Sequence, residues 1–371
     1  MRSGPILRPR LAFILVAAIL FSMGLLMVYD TSSADILDRS LDAQLHFATC
    51  RQLLFAAVGA LFAFVVYSVG YQRWLELAPA LLIVTSVLLL LVFLPVVGLS
   101  RNGAHRWIHL GPFTVQPSEL AKLALPLYYI RELSKAESIT LRSFVKVMGV
   151  IAVPTALILL EPDNATTGII GMTFLVLFFL TKVPFRFWLL PLIAFCLIGG
   201  AVAMQLPYVT GRIQVYLHPE LDLQGRGHQP YQAKIAAGSG GLTGKGLGES
   251  LQKLTYLPEA QNDYIAAIFA EEFGFVGVVG LILFYSLLLV WGYQIAMLAP
   301  DKGGYYVAAS LTFLIGVQAF LNLAVVSGLI PSTGLNLPLF SQGGTSLVAN
   351  FIAIGLLLSV DRRRALVCRA S

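Results

Sequence analysis

Three carboxylates set the chemical question. Asp263, Glu271 and Glu272 lie in LQKLTYLPEAQNDYIAAIFAEEFGFVG, residues 251–277, where a polar, proline-containing loop runs straight into an apolar segment. Asp263 sits at the junction, and the glutamates follow about two turns later. An ionisable side chain inside a bilayer costs about 2.5–3.5 kcal/mol on insertion scales, so its presence there points to a function. The plainer alternative is an aspartate that caps the helix and glutamates that snorkel.

Other groups share this character. Glu119 and Lys122 in QPSELAK are three apart, so they share one helical face and can pair. They read either as a structural pair locking two helices or as a cation poised for a phosphate-bearing ligand, with Glu119 holding it. EPDNATTG sets Glu161 and Asp163 beside a helix start. Asp163 reads as its cap, or as a second carboxylate facing the same cavity. Gln318 and Asn322, four apart, point polar groups into the bundle. His105 and His109 are also four apart, but Gly103 and Gly111 interrupt the segment and no third ligand stands out, so no metal site is expected. GSGGLTGKGLG looks briefly like a P-loop, yet the pattern needs Gly where Ser239 stands and Ser or Thr where Gly246 stands. Its glycines are expected to form turns, or nests whose N–H groups meet an anion. PSTGLNLPLFSQGGTS, residues 331–346, includes Ser341 and reads as irregular backbone. Near membrane depth such backbone survives only under protein or beside a wet cavity. Cys50, Cys196 and Cys368 are scattered and suggest no disulfide framework.

The elements that must position these groups are apolar. The 371 residues are 57% hydrophobic and 12% charged, with mean hydropathy +0.81. Runs of about 20 apolar residues recur along the chain, without the alternation of a barrel. The fold class is therefore all-α: one polytopic membrane domain over residues 1–371. Ten transmembrane helices are expected at 11–31, 51–71, 76–99, 117–133, 144–160, 165–181, 185–205, 263–297, 305–329 and 342–361. A large extracytoplasmic loop, 206–262, separates the seventh from the eighth. The first run is too long for a signal peptide and reads as a retained helix. With the N-terminus inside, fifteen Lys and Arg fall in inner loops and tails, and four in the short outer loops. That bias puts both termini in the cytoplasm. The glycine-rich and acidic segments then lie outside, where ATP is not expected, so any chemistry there runs on a substrate carrying its own energy.

Five stretches together carry a resemblance: NGAHRWIHLGPFTVQPSELAK, EPD, YQAKIAAGSGGLTGKGLGES, LPEAQNDYIAAIFAEEFGFVG and QAFLNLAVVSGLIPSTGLNLPLFSQGGTSLVAN. In this order they resemble the SEDS proteins (shape, elongation, division and sporulation), the RodA/FtsW polymerases of bacterial peptidoglycan. The resemblance implies ten transmembrane helices and glycosyl transfer on lipid II in the bacterial inner membrane. It implies a class B penicillin-binding protein as transpeptidase partner, with other divisome or elongasome membrane proteins and no nucleic acid. The family's essential aspartate falls on Asp263, its Glu–Lys pair on Glu119 and Lys122, and its outer-loop arginine on Arg212. The family often reads HTDFIF where this chain has QNDYIA, and QPDLGTA where it has EPDNATT. LGESLQKLTYLPEA looks more like the FtsW division branch than the RodA elongation branch.

The reaction that fits is polymerisation: a lipid II hydroxyl attacks the anomeric carbon of a glycan strand held on a lipid pyrophosphate. Asp263 is then the expected catalytic base. Lys122, Arg106 and Arg212 are the cations expected at the pyrophosphate. Glu119, Asp163, Glu271, Gln318 and Ser341 complete the side chains expected to face substrate. No resident cofactor is required, and a divalent ion, Mg²⁺ or Mn²⁺, is left open beside the pyrophosphate. A RodA-type elongation polymerase is the alternative branch. A lipid II flippase, which predicts charges near the midplane and related halves, and a non-enzymatic anchor for a transpeptidase are the rivals in other classes.

Overall fold

The structure, a computed structural model, describes residues 9–39, 47–95, 97–101, 104–111, 113–135, 139–205, 207–218, 225, 227–254, 257 and 260–370. It is a bundle of long helices with short elements gathered around one cavity. In chain order the helices are α1 (Pro9–Arg39), α2 (Phe47–Val69), α3 (Tyr71–Leu91), α4 (Pro117–Lys135), α5 (Leu141–Leu160), α6 (Asn164–Leu180), α7 (Phe185–Ala203), α8 (Pro207–Leu217), α9 (His228–Ser239), α10 (Ile265–Met297), α11 (Lys302–Val326) and α12 (Gly344–Ala370).

Seven of these, α1, α2, α3, α5, α10, α11 and α12, contain stretches long and apolar enough to cross a membrane. α6 and the first part of α7 are shorter apolar helices. α4 has the length but carries Glu119, Lys122, Arg131, Glu132 and Lys135. The chain is thus a multi-pass membrane protein. α11 and α12 form its centre, with 67% of their most apolar stretch buried, against 22–28% for α2, α3, α5 and α10. Side chains such as Phe64, Ile83, Leu190 and Phe275 lie exposed, as lipid-facing residues do.

Two features depart from the expected plan. The segment between the third and fourth expected helices, where no regular element is expected, is an antiparallel sheet of β1 (Gly98–Arg101), β2 (Ala104–Leu110) and β3 (Phe113–Val115). Ile108 pairs with Gly98 on one side and Val115 on the other. Gly111, at φ +62, supplies the left-handed turn between β2 and β3. The long loop also holds two helices, α8 and α9.

α10 is not one continuous rod. Gly274 breaks it with φ 64 and ψ −165, and the glycine-rich loop is spliced into the break. The N–H groups of Lys245 and Gly246 donate to the carbonyls of Glu271 and Glu272, both at 3.0 Å. The N–H groups of Phe275 and Val276 donate to the carbonyls of Gly241 and Leu242 at 2.9 and 3.1 Å. Four backbone groups at the kink are therefore taken up by loop backbone. A Cβ on Gly274 would stand 2.3 Å from the nitrogen of Gly244. Close backbone approach accounts for Gly244 and Gly274, and the positive φ of Gly241, Gly244, Gly246 and Gly248 gives the turns expected of this stretch.

Candidate active site

A cavity of about 1010 Å³ opens where the polar segments converge. Its walls come from the start of α2, strands β2 and β3, the start of α4, the α5–α6 junction, α8, α9, the segment before α10, the end of α11 and residues 328–346. Four expected site residues line it: Arg106, Glu119, Asp163 and Asp263.

Asp263 is half-buried on this wall. The Tyr264 side chain, next in line, is sunk into the core, and its hydroxyl pairs with Ser332 at 2.9 Å. The N-cap position of α10 is Tyr264, so Asp263 stands one residue outside the helix. Asn322 of α11 donates its amide N–H to the Asp263 carbonyl at 2.8 Å and to the Leu335 carbonyl at 2.6 Å. The carboxylate lies against Gly334, where an added Cβ would sit 3.6 Å from Oδ2. Gln342 N–H donates to the Gln261 carbonyl at 3.0 Å, tying the two loops that flank the aspartate.

Asp163 satisfies both readings made of it. It is the N-cap of α6, with Oδ1 accepting from Thr166 N–H at 3.3 Å. Its Oδ2 accepts from Gln116 Nε2 at 3.2 Å and Ser118 Oγ at 3.1 Å, which joins α4 to α6 at the cavity wall. Arg106 donates to the backbone carbonyls of Glu161, at 3.2 Å, and Pro162. Glu161 itself is fully buried, and neither carboxylate oxygen has a hydrogen-bond partner. Burial pushes its carboxyl up to about 8; Asp163 adds to the rise and Arg106 opposes it.

Lys122 occupies a different place from the one expected. Its ammonium is 2% exposed and is not on the cavity wall. Nζ donates to Glu119 Oε1 at 2.9 Å and Gln318 Oε1 at 2.8 Å. Gln318 in turn donates to the Asn336 carbonyl at 2.9 Å. The buried charge is matched within the protein, so Lys122 holds Glu119 and α11 together, as the structural-pair reading has it. Gln318 braces the same network.

Two further expectations are corrected. Glu271 faces the spliced loop: it accepts from Lys245 Nζ at 2.5 Å, Ser250 Oγ at 2.5 Å and Ser239 Oγ at 3.2 Å. Glu272 pairs with Lys253 at 2.8 Å, and Lys253 also reaches Asp30 of α1 at 2.7 Å. Both glutamates thus anchor the outer loop. Ser341 closes the turn after Leu337, accepting Leu337 N–H at 2.8 Å, and its carbonyl takes Gln52 Nε2 at 3.2 Å. Arg212 lies in α8, and its side chain is outside the described residues. His105 and His109 lie on strand β2, which separates them by about 13 Å, too far to share an ion. Among the described residues no group of three or more His, Cys, Asp or Glu converges. The oxygens of Asp163 and the bonded oxygen of Glu119 are engaged by protein donors.

Two cavity cations escaped the sequence reading: Arg51 of α2 and Lys234 of α9. Lys234 stands in YQAKIAAGSGG, a stretch singled out for its glycines and not for its lysine.

The fold and site together are those of a polytopic helical membrane protein with a polar cavity walled by both carboxylates and cations. The family model described as cell cycle protein, FtsW/RodA/SpoVE, matches residues 10–366, and the chain belongs to that family. It is 40% identical to stage V sporulation protein E of Bacillus subtilis, over 95% of this chain and 97% of the relative. It is 38% identical to the probable peptidoglycan glycosyltransferase FtsW of Legionella pneumophila, over 92% and 88% of the two chains. Among solved structures it resembles a chain of a peptidoglycan synthase complex, studied for its coordination of polymerization and crosslinking, with TM-score 0.77 and 28% identity over 95% of this chain and 97% of that one. The rod shape determining protein RodA of Thermus thermophilus matches with TM-score 0.69 and 28% identity over 95% and 96%.

Proposed function

We propose that this chain is a peptidoglycan glycosyltransferase that polymerises lipid II into glycan strands, with a septal role in division. The observation that carries the reading is Asp263: a half-buried carboxylate on the wall of a large polar cavity, its backbone fixed from α11. Relatives named peptidoglycan glycosyltransferase FtsW and the likeness to a peptidoglycan synthase complex support it.

In this mechanism Asp263 takes the proton of the acceptor sugar hydroxyl as its oxygen attacks the anomeric carbon of the donor. The bond from that carbon to the lipid pyrophosphate breaks, and the pyrophosphate leaves with the electron pair. A single essential carboxylate suits an inverting displacement, which needs no separate nucleophile. Arg106, fixed by two backbone carbonyls, and Asp163 shape the wall where the sugars lie. The reaction requires no resident cofactor. The cavity faces the outer side of the bacterial cytoplasmic membrane, both termini are cytoplasmic, and a class B penicillin-binding protein is the partner that crosslinks the product. The deciding experiment supplies purified chain and such a partner with lipid II and scores glycan strands on a gel. Strands that appear only with the intact chain support the reading; lipid II left unconverted under active conditions contradicts it.

A further inference from the structure

The cavity's charges are unevenly spoken for. Glu119 is matched by Lys122. Asp163 is held by neutral donors, Arg106 gives its Nε–H and one Nη2 N–H to the carbonyls of Glu161 and Pro162, and Arg51 lies over the Phe55 ring, 5.7 Å from its centroid. Lys234 is different. It is solvent-exposed on the cavity wall, and among the described residues it makes no hydrogen bond and no ion pair.

Its position is nevertheless set by a slot. At the C-terminus of α11 the chain turns through Gly328, at φ +75, with Gly328 N–H donating to Val325 and Leu329 N–H to Ala324. A Cβ at Gly328 would stand 2.4 Å from Lys234 Cε and 3.1 Å from its Nζ. The lysine stem therefore lies in the space that the glycine leaves. Six residues on, Gly334 (φ +73) leaves similar room beside the carboxylate of Asp263. One short segment thus seats both the carboxylate and the ammonium in a single cavity.

We infer that Lys234 is a pyrophosphate-binding residue of this cavity, the cation that meets the charged linkage of the lipid substrate in the cavity that holds the Asp263 base. This rests on the polymerase reading and replaces Lys122 in the role expected for it. An ammonium carries three donors on a flexible stem and serves phosphate as a point charge. As the anomeric C–O bond breaks, the electron pair and added negative charge collect on the departing pyrophosphate, while the acceptor proton passes to Asp263. Lys234 stabilises the first of these, and no other reactant is needed.

The test separates this site from the overall reaction. Purified full-length chain in detergent is titrated with undecaprenyl pyrophosphate and with undecaprenol, which shares the tail but lacks the charge. Wild type is expected to prefer the pyrophosphate. Lys234→Gln is expected to lose about 10- to 100-fold of that preference, with undecaprenol binding unchanged, and Lys234→Arg to regain most of it. Polymer yield from lipid II should fall in parallel in Lys234→Gln. Unchanged pyrophosphate preference in Lys234→Gln would overturn the inference. Preference that depends on Lys234 in a wild-type chain that forms no polymer would support the site and overturn the polymerase reading instead.

Discussion

The side-chain amide of Asn322 donates to the main-chain carbonyl of Asp263 at 2.8 Å while its second bond, at 2.6 Å, holds Leu335. One residue of the central helix thus fixes both the segment that carries the carboxylate and the segment facing it. Asn322→Leu removes both donors and leaves buried carbonyls unmet, at about 1–3 kcal/mol each. The variant should insert and bind lipid II with similar affinity, yet turn over at least tenfold more slowly, about 1.4 kcal/mol in barrier. Steady-state kinetics give the split: a change confined to KM would contradict the positioning role.

The Glu119–Lys122–Gln318 network makes a different prediction. Lys122→Met strands the Glu119 carboxylate in a buried place, and breaking such a pair costs about 3–5 kcal/mol. Thermal stability in detergent should fall sharply. Pairing it with Glu119→Gln removes the stranded charge and should recover most stability and measurable polymerisation. A double variant as stable as wild type but inactive would return Lys122 to the substrate.

Glu161 gives a pH signature. Its folded-state pKa is raised, from 4.5 to about 8, chiefly by burial. Between those values the folded protein keeps a proton that the unfolded chain has lost, so stability falls as pH rises through the window and levels off above it. Glu161→Gln keeps the shape without the titration. It should match wild type near pH 4.5 and melt at higher temperature than wild type at pH 8. Melting curves that run parallel at all pH values would contradict this.

Much of the fold could be read in the residues, and the reasons for the gaps are physical. Hydropathy finds the long spans because lipid imposes one constraint on all of them. α4 shows poorly on that measure, since Glu119 and Lys122 lower its hydropathy while cancelling each other in three dimensions. The strands of residues 98–115 are short and carry charged residues and glycine, so they read as loop. Insertion cost points Glu271 and Glu272 to a function, whereas their charges are compensated within the protein. The compensation comes from Lys245 and Lys253, brought back by a loop whose return path only the Gly274 break reveals. Asp263 and Asp163 could be placed because each sits at a loop–helix junction. The inward turn of Lys122 and the cavity position of Lys234 depend on packing that spacing does not encode.

Orientation can be checked at the spliced loop. Gly240 is a poor labelling site, because a Cβ there would stand 2.1 Å from the Ala270 carbonyl. Leu242, two residues on in the loop, is 73% exposed. With the native cysteines replaced, Leu242→Cys should react with a membrane-impermeant maleimide in intact cells. Labelling only after permeabilisation would reverse the topology and move the cavity to the cytoplasmic side.

The most direct measurement is polymerisation by Asp263→Asn. Asparagine keeps the volume and much of the hydrogen bonding of aspartate and caps helices about as well, so a structural role tolerates it. It removes only the basicity. The account predicts a folded, membrane-inserted protein that still binds its partner and lipid II, with strand synthesis lowered by about 10²–10⁴. Near-normal polymer from purified Asp263→Asn would contradict the account and place the base elsewhere, with Asp163 the next carboxylate on the cavity wall.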